Sequence, residues 1–273
     1  MDELYVLARR VLLDALEALG PHRGAVVLAG AQAIYLRVGE ADLAVAPFTT
    51  DGDLVLEPGV LKERPPLEEV LRGAGFQPSS GDSVGIWVTQ RSLETGPVSV
   101  SVDLLVPASL SPGKGRRAAR LAGHDPRVAR LVKGLEGALV DRDIMQVGAL
   151  GDGDGRVYAL QVAGPAALLV SKVHKIADRR GGSRLLDKDA LDTLRLLRGV
   201  ATEELARRLS RLLAAPSSAA MTHEALDRLE ELFGERTGEG ARMVVRATEG
   251  LAGGAEMALS CELLTRALFA NMQ

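Results

Sequence analysis

Cysteine, aromatic residues and long apolar runs are all scarce in this chain of 273 residues. The single cysteine, Cys261, excludes an internal disulfide and a metal site built from several cysteines, and we interpret it as a buried apolar residue. Aromatic residues make up 3% of the chain, which argues against a platform of stacked side chains for single-stranded nucleic acid. No stretch approaches the roughly 20 apolar residues of a membrane span, and the first residues lack the basic start and continuous apolar run of a signal peptide. We therefore predict a cytoplasmic protein that does not bind membranes.

An excess of charge of one sign is also lacking. The chain has 33 Lys and Arg against 36 Asp and Glu, a net charge of −3. The whole molecule therefore has no electrostatic reason to wrap nucleic acid, and any basic binding surface must be local. With 47% apolar and 25% charged residues, the composition is that of an ordinary globular protein, long enough for one large domain or two smaller ones.

The spacing of apolar residues changes near residue 163. Before it, a helical pattern over 2–19 is followed by short apolar runs typical of strands; after Gly164-Pro165 the successive patterns are helical. The runs predicted as strands are 25–30, 53–59, 85–90, 97–107 and 156–162, the third and fourth joined by a turn at 94–97. The predicted fold class is α/β, with a mixed-sheet core over 1–163 followed by an all-helical domain over 164–273.

Gly30 stands where the first predicted strand gives way to a helix that starts at Ala31. A glycine at such a junction lets a phosphate approach the backbone, and the free N–H groups at the start of a helix favour an anion. Many strand-to-helix turns carry glycine for geometry alone, so this feature by itself leaves both interpretations open.

Three aspartates are candidates for binding a hard cation. Asp51 and Asp53 run into the second predicted strand, where residues two apart point the same way and both carboxylates could reach one ion; the alternative is a turn at Asp51-Gly52 with a solvated Asp53. Asp103 lies within the fourth strand, on a face with Ser99 and Ser101. A buried carboxylate needs a partner, and an aspartate satisfied at a sheet edge is the alternative there.

The order of these features resembles the nucleotidyltransferase superfamily: a glycine turn, two carboxylates about twenty residues later, then a single carboxylate on a strand. The resemblance implies that Asp51, Asp53 and Asp103 bind metal, with two Mg²⁺ ions expected, and that the glycine turn holds the phosphates of an NTP donor. In-line displacement at the α-phosphorus, with pyrophosphate leaving, needs such charge neutralisation. The turn has Ala31 where the superfamily usually has Gly or Ser, so a phosphate-binding hydroxyl is missing.

The helical half extends the resemblance to the AbiEii-type nucleotidyltransferase toxins of type IV toxin–antitoxin systems. A lysine (Lys172, with Lys175 as the weaker candidate) precedes the stretch KDALD, which contains Asp189 and Asp192. The resemblance implies catalytic roles for Lys172 and Asp189 and a helical domain that closes the active-site cleft. The residues implied to contact the NTP are Gly30, Ala31, Thr49, Lys172 and Asp192. The alternative is an ordinary helix surface on which Lys188 and Asp192 form an i,i+4 pair.

The residues 113–134 carry seven Lys or Arg and one acid, Asp125. They predict either a surface that follows RNA phosphates or simply a solvated basic segment. Family resemblance implies the 3′ end of tRNA as acceptor and an antitoxin protein as partner. Two further hypotheses are a small-molecule nucleotidyltransferase, acting for example on an aminoglycoside, and a non-catalytic module that binds a nucleotide or a partner protein.

Overall fold

The computed structural model describes residues 2–39, 41, 43, 46, 48–81, 83–110, 117–151, 153–179, 187–248 and 253–273. The chain divides into two compact units. We call them the sheet unit (Met1–Gln32, Phe48–Val132 and Arg142–Val162) and the helical unit (Ala33–Pro47, Lys133–Asp141 and Ala163–Gln273). The last segment of the helical unit begins where the sequence pattern changes, but two earlier segments also belong to it, which the sequence division at residue 163 did not include.

The sheet unit contains one mixed sheet. Its elements are α1 (Glu3–Ala18), β1 (Val26–Ala29), the first turn of α2 (Gly30–Val38), β2 (Asp51–Leu56), α3 (Leu67–Gly73), β3 (Gln77–Pro78), β4 (Ile86–Leu93), β5 (Gly96–Pro107), β6 (Arg130–Val132), β7 (Arg142–Gly148) and β8 (Val157–Ala163). Among the described residues the strand order is β3-β4-β5-β2-β1-β8-β7, with β6 also pairing with β5. Strands β1 and β2 are antiparallel, β2 and β5 are parallel, and β4 and β5 form the expected hairpin. The α/β fold class predicted from the sequence is confirmed.

The centre of the sheet is apolar because β1 and β2 meet there. All four residues of β1 are buried, and so are Leu54, Val55 and Leu56 at the end of β2. Helix α1 buries one apolar side, with Asp2 accepting hydrogen bonds from the first-turn N–H groups of Leu4 and Tyr5. This burial stabilises the pairing of the middle strands. Asp51 and Asp53, at the start of β2, therefore have defined positions.

Strand β2 begins earlier than its apolar residues predict. The sequence pattern placed the strand at 53–59, whereas it spans Asp51–Leu56 and ends before the turn at 57–60. Three strands were not predicted: β3 and β6, which have only two and three residues, and β7, which lacks a clear alternating pattern.

Within the described residues, the helical unit contains the rest of α2, a short 3₁₀ helix (Glu136–Leu139) and six α-helices: α4 (Pro165–Asp178), α5 (Asp187–Gly199), α6 (Thr202–Ala214), α7 (Ala219–Phe233), α8 (Glu239–Ala247) and α9 (Gly254–Ala270). Helix α4 begins on a buried cap. The Asp141 Oδ2 atom accepts hydrogen bonds from the N–H groups of Ala166 and Ala167, and its Oδ1 atom accepts one from Arg208 at 2.7 Å. Gly164 makes room for this carboxylate, since a Cβ there would lie 2.1 Å from Asp141 Oδ2.

None of the helices in the described part of the chain is both long and apolar enough to cross a membrane.

Candidate functional site

The three predicted aspartates lie on one face of two neighbouring strands. In the parallel pair of β2 and β5, Asp53 is the direct partner of Asp103, and Asp51 is the partner of Ser101. Paired residues stand about 4.8 Å apart and point to the same side of a sheet, and so do residues two apart on one strand. The register therefore brings the carboxylates of Asp51, Asp53 and Asp103 to one side of the sheet, half-buried or buried.

Gly30 lies directly against the carboxylate of Asp53. In the pairing of β1 with β2, Asp53 stands opposite Ala29, so the next residue, Gly30, passes over its side chain. Gly30 has φ +66°, and a Cβ added there would lie 1.9 Å from Asp53 Oδ2. A side chain at position 30 and the observed position of Asp53 are therefore incompatible. The glycine turn and the second aspartate form one unit of structure at the start of α2.

Asp51 is held through both its side chain and its backbone. Thr49 Oγ1 donates to Asp51 Oδ1 at 2.5 Å, and Gln32 Nε2 donates to the Asp51 carbonyl at 2.9 Å. Gln32 is itself fixed by Arg9, whose Nε atom donates to Gln32 Oε1 at 2.6 Å. Thr49 was predicted to contact the NTP and here contacts Asp51. The sequence analysis did not identify Gln32 or Arg9, because nothing in the pattern distinguishes a buried polar residue on these helices from a surface one.

Asp103 has a cationic partner. Arg130 Nη2 donates to Asp103 Oδ2 at 2.5 Å, and Asp103 is 6% exposed. The carboxylate thus has a partner within the fold, as the alternative interpretation required, but that interpretation placed it at a sheet edge, whereas β5 lies between β4 and β2. The sequence analysis counted Arg130 in the basic segment 113–134, because residue type alone does not show that its side chain pairs with Asp103.

Other cations of the basic segment also bind the protein itself. Arg127 Nη2 donates to the Gly81 carbonyl at 2.9 Å, and Lys133 Nζ donates to Glu224 Oε1 at 2.8 Å. The stretch 111–116, with Lys114 and Arg116, lies outside the described residues. A surface that follows RNA phosphates therefore stays a prediction, and Arg127, Arg130 and Lys133 have partners that reduce their availability for it.

Lys172, Asp189 and Asp192 form a buried cluster within the helical unit. The Lys172 ammonium group donates to Asp189 Oδ1 and to Asp192 Oδ2, both at 2.7 Å. The hydroxyl of Tyr35, on α2, donates to Asp192 Oδ1 at 3.0 Å. Lys172 is 3% exposed and Asp192 is fully buried, so Asp192 is not part of an ordinary helix surface. We refer to these four residues as the lysine cluster.

Further cations surround the lysine cluster. Lys175 Nζ and Arg179 Nη1 lie 3.2 and 3.3 Å from oxygens of Asp189, and the guanidinium group of Arg195 lies 5.5 Å from the centre of the Tyr35 ring. Lys172 and Lys175, taken as alternatives in the sequence analysis, thus both contact Asp189.

Protonation within the lysine cluster follows from these contacts. Burial by itself would lower the pKa of Lys172, but the charges of Asp192 and Asp189 outweigh it and raise that pKa. Burial would raise the pKa of Asp189, yet the Lys172 ammonium group lowers it to about 2. Burial and the Asp192 charge raise the pKa of the Tyr35 hydroxyl. The cluster therefore holds a charged Lys172, a charged Asp189 and a neutral Tyr35 at neutral pH.

The carboxylates of the sheet unit have the donor chemistry that Mg²⁺ requires, since this ion prefers hard oxygen ligands. Because Gly30 has no side chain, the Asp53 carboxylate can pack directly against its backbone. As the side chains stand, no three His, Cys, Asp or Glu residues of the described ranges are arranged to hold a metal ion. A cation on this face would have to compete with Arg130 for Asp103. The residue types fit magnesium, and an ion that used Asp103 Oδ2 would have to displace Arg130.

Comparison with protein-family profiles gives an extensive match. The profile of a family described as nucleotidyltransferase matches residues 9–214, more than half of the chain. No protein of curated function matches.

Two solved structures are similar at low identity. The crystal structure of JHP933 from Helicobacter pylori is 14% identical, with a TM-score of 0.48 over 100% of this chain and 94% of that one. The solution structure of the antibiotic-resistance factor ANT(2'')-Ia is 15% identical, with a TM-score of 0.39 over 82% of this chain and 98% of that one. These values are too low to indicate a substrate.

Proposed function

Since this chain belongs to a nucleotidyltransferase family, we propose that it transfers a nucleotide from an NTP to an acceptor hydroxyl in a magnesium-dependent reaction. One observation carries the proposal: Asp51, Asp53 and Asp103 share one face of adjacent parallel strands, with Asp53 against Gly30. Carboxylates grouped in this way suit a reaction whose substrate carries several negative charges, because they can hold the cation that neutralises them.

Each step can be assigned to residues of the chain. The acceptor oxygen attacks the α-phosphorus; a new P–O bond forms, the bond between the α-phosphorus and the bridging oxygen breaks, and pyrophosphate leaves. Asp103 accepts the proton of the acceptor hydroxyl. Asp51 and Asp53, with Asp103, would hold magnesium, which when bound supplies charge neutralisation on the triphosphate and makes the acceptor hydroxyl more acidic. Thr49 keeps the Asp51 carboxylate in place.

The phosphates are proposed to lie at the start of α2. Gly30 and Ala31 offer backbone N–H groups there, and a helix N-terminus attracts anions even where the hydroxyl of a serine is missing. This placement sets the phosphates beside the Asp53 carboxylate, which packs against Gly30.

For Lys172, Asp189 and Asp192 we propose a supporting role. The resemblance implied that Lys172 and Asp192 contact the triphosphate and that Asp189 orients the reactants. The Lys172 ammonium group has two carboxylate partners and little exposure, which favours a role in fixing α4 against α5. Its contact with the NTP stays a prediction.

The proposed acceptor is the 3′ end of tRNA, with an antitoxin protein as partner, on the strength of the AbiEii resemblance. The described basic residues give little support to a tRNA acceptor, because Arg127, Arg130 and Lys133 bind groups of the protein itself. A small-molecule acceptor such as an aminoglycoside is the second candidate.

The test is incubation of the full chain with each α-labelled NTP, Mg²⁺ and either total tRNA or an aminoglycoside. We expect label on the acceptor and released pyrophosphate, with Asp51→Asn lowering the rate at least about 100-fold. Glu94→Gln, in the exposed turn between β4 and β5, removes a carboxylate of the same unit and should keep full activity. Label on tRNA supports the toxin proposal and label on the aminoglycoside supports the second candidate. NTP binding without pyrophosphate release would favour a non-catalytic module.

A further inference from the structure

A cavity of about 670 Å³ opens in the helical unit between the C-terminal end of α7 and the end of α9. Four of its lining residues are acidic: Asp227, Glu230, Glu231 and Glu235. One lining residue is basic, Arg266, and its guanidinium group already pairs with Glu262 at 3.0 Å. The cavity is therefore strongly negative, in a unit that elsewhere pairs many of its charges.

Glu230, Glu231 and Glu235 stand in or just after the last turn of α7, where a helix tolerates acidic residues least, and Asp227 lies one turn earlier. The last turn of α7 contains no basic residue, and the C-terminal end of a helix carries a partial negative charge. Asp227 and Glu230 have no ion-pair partner among the residues that the structure describes. Carboxylates near this end repel the negative helix terminus and one another, so a bound cation would stabilise the arrangement.

Thr265 provides a second, independent indication of a ligand. It lines the same cavity and is 1% exposed, and its Oγ1 atom has no hydrogen-bond partner within the described part of the protein. A buried hydroxyl without a partner is unfavourable, and native structures seldom leave one. An N–H group of a ligand in the cavity would satisfy this oxygen.

We propose that the cavity binds an organic polyamine that carries several ammonium groups. Separate ammonium groups can reach carboxylates spread along α7, whereas no three acidic side chains in the described ranges converge as a metal site requires. Phe269 also lines the cavity, and an ammonium group is attracted to the face of an aromatic ring. The volume lies within the range of roughly 300–1,000 Å³ typical of small-ligand sites.

The experiment is a calorimetric titration of the full chain with spermidine, with and without added Mg²⁺. We expect one saturable site per chain that Mg²⁺ at equal charge concentration does not displace. The double variant Asp227→Asn/Glu230→Gln should weaken binding about 10-fold, because each exposed charge pair contributes up to about 5-fold. Thr265→Val, which removes the hydroxyl and keeps the shape, should weaken it about 3-fold.

The matched control is Glu203→Gln/Glu256→Gln, which removes two exposed carboxylates from α6 and α9, away from the residues that line the cavity. Its affinity for spermidine should equal that of the unmodified protein. An equal loss in both double variants, displacement by Mg²⁺, or unchanged affinity in the Asp227→Asn/Glu230→Gln protein would overturn the proposal. Because the readout is binding to the helical unit, the result does not depend on transferase activity.

Discussion

A methyl group added at Gly30 would overlap the Asp53 carboxylate. Replacing the glycine therefore tests whether transfer depends on the position of that carboxylate. We expect Gly30→Ala to displace the Asp53 carboxylate, because the new Cβ would lie 1.9 Å from Oδ2. The positive φ of +66° adds about 1 kcal/mol of backbone strain. Nucleotidyl transfer should fall at least about 100-fold, measured as pyrophosphate release.

Gly39 supplies the control for this substitution. It has a similar φ of +56°, but an added Cβ would meet nothing within 4 Å. Gly39→Ala should therefore show the loss of stability, by thermal unfolding, without the loss of transfer. If both variants lose activity equally, backbone strain and not the displaced carboxylate explains the effect of Gly30→Ala.

Protonation of Asp189 should lower the free energy of unfolding at acid pH. Its pKa is lowered from 3.8 to about 2 by the Lys172 and Lys175 charges, against the opposing effect of burial. Its contribution is present above the unfolded pKa and is lost as pH falls through the folded pKa. Between pH 5 and pH 2, urea unfolding should show the intact protein losing about 1–2 kcal/mol more than Asp189→Asn. Parallel pH profiles for the two proteins would contradict this assignment.

At the scale of single elements, the Asp141 side chain stabilises the first turn of α4. The carboxylate is fully buried, caps two N–H groups of α4 and pairs with Arg208. Asp141→Ala should lower the free energy of unfolding by about 3–5 kcal/mol, because Arg208 loses a buried partner along with the cap. Asp2→Ala removes the exposed cap of α1 and should lower it by about 1 kcal/mol in the same urea titration. Equal losses would show that burial adds nothing to the Asp141 cap.

The elements also show what the sequence can and cannot predict. The alternation of valines with Ser99, Ser101 and Asp103 was enough to place the carboxylate on the serine face of β5. The register that sets Asp53 beside Asp103 could not be read from that pattern, because the intervening chain of α3, β3 and β4 decides it. Arg130, the partner of Asp103, lies 27 positions from it in the sequence. Tyr35, which donates to Asp192, lies 157 positions from it. Periodicity describes one element at a time and carries no information on such pairings.

At the scale of the whole molecule, the helical unit is not one continuous stretch of chain. Its α4 cap, Asp141, and the Lys133 partner of Glu224 both precede residue 163. A fragment of residues 163–273 should therefore unfold at lower temperature and with less cooperativity than one of residues 133–273. Thermal melts followed by circular dichroism measure this, and Asp141→Ala in the longer fragment should remove most of its advantage. Identical melts for the two fragments would contradict the expectation.

The pairing of β2 with β5 also limits how the length of this chain can vary during evolution. Inserting or deleting one residue within β2 or β5 would turn the side chains beyond that point to the opposite side of the sheet, and the aspartates would no longer share a face. A change of length in the turn at Glu57–Val60, or between β4 and β5, leaves that pairing intact. Gaps in homologous chains should thus fall in those turns, with β2 and β5 inherited at constant length.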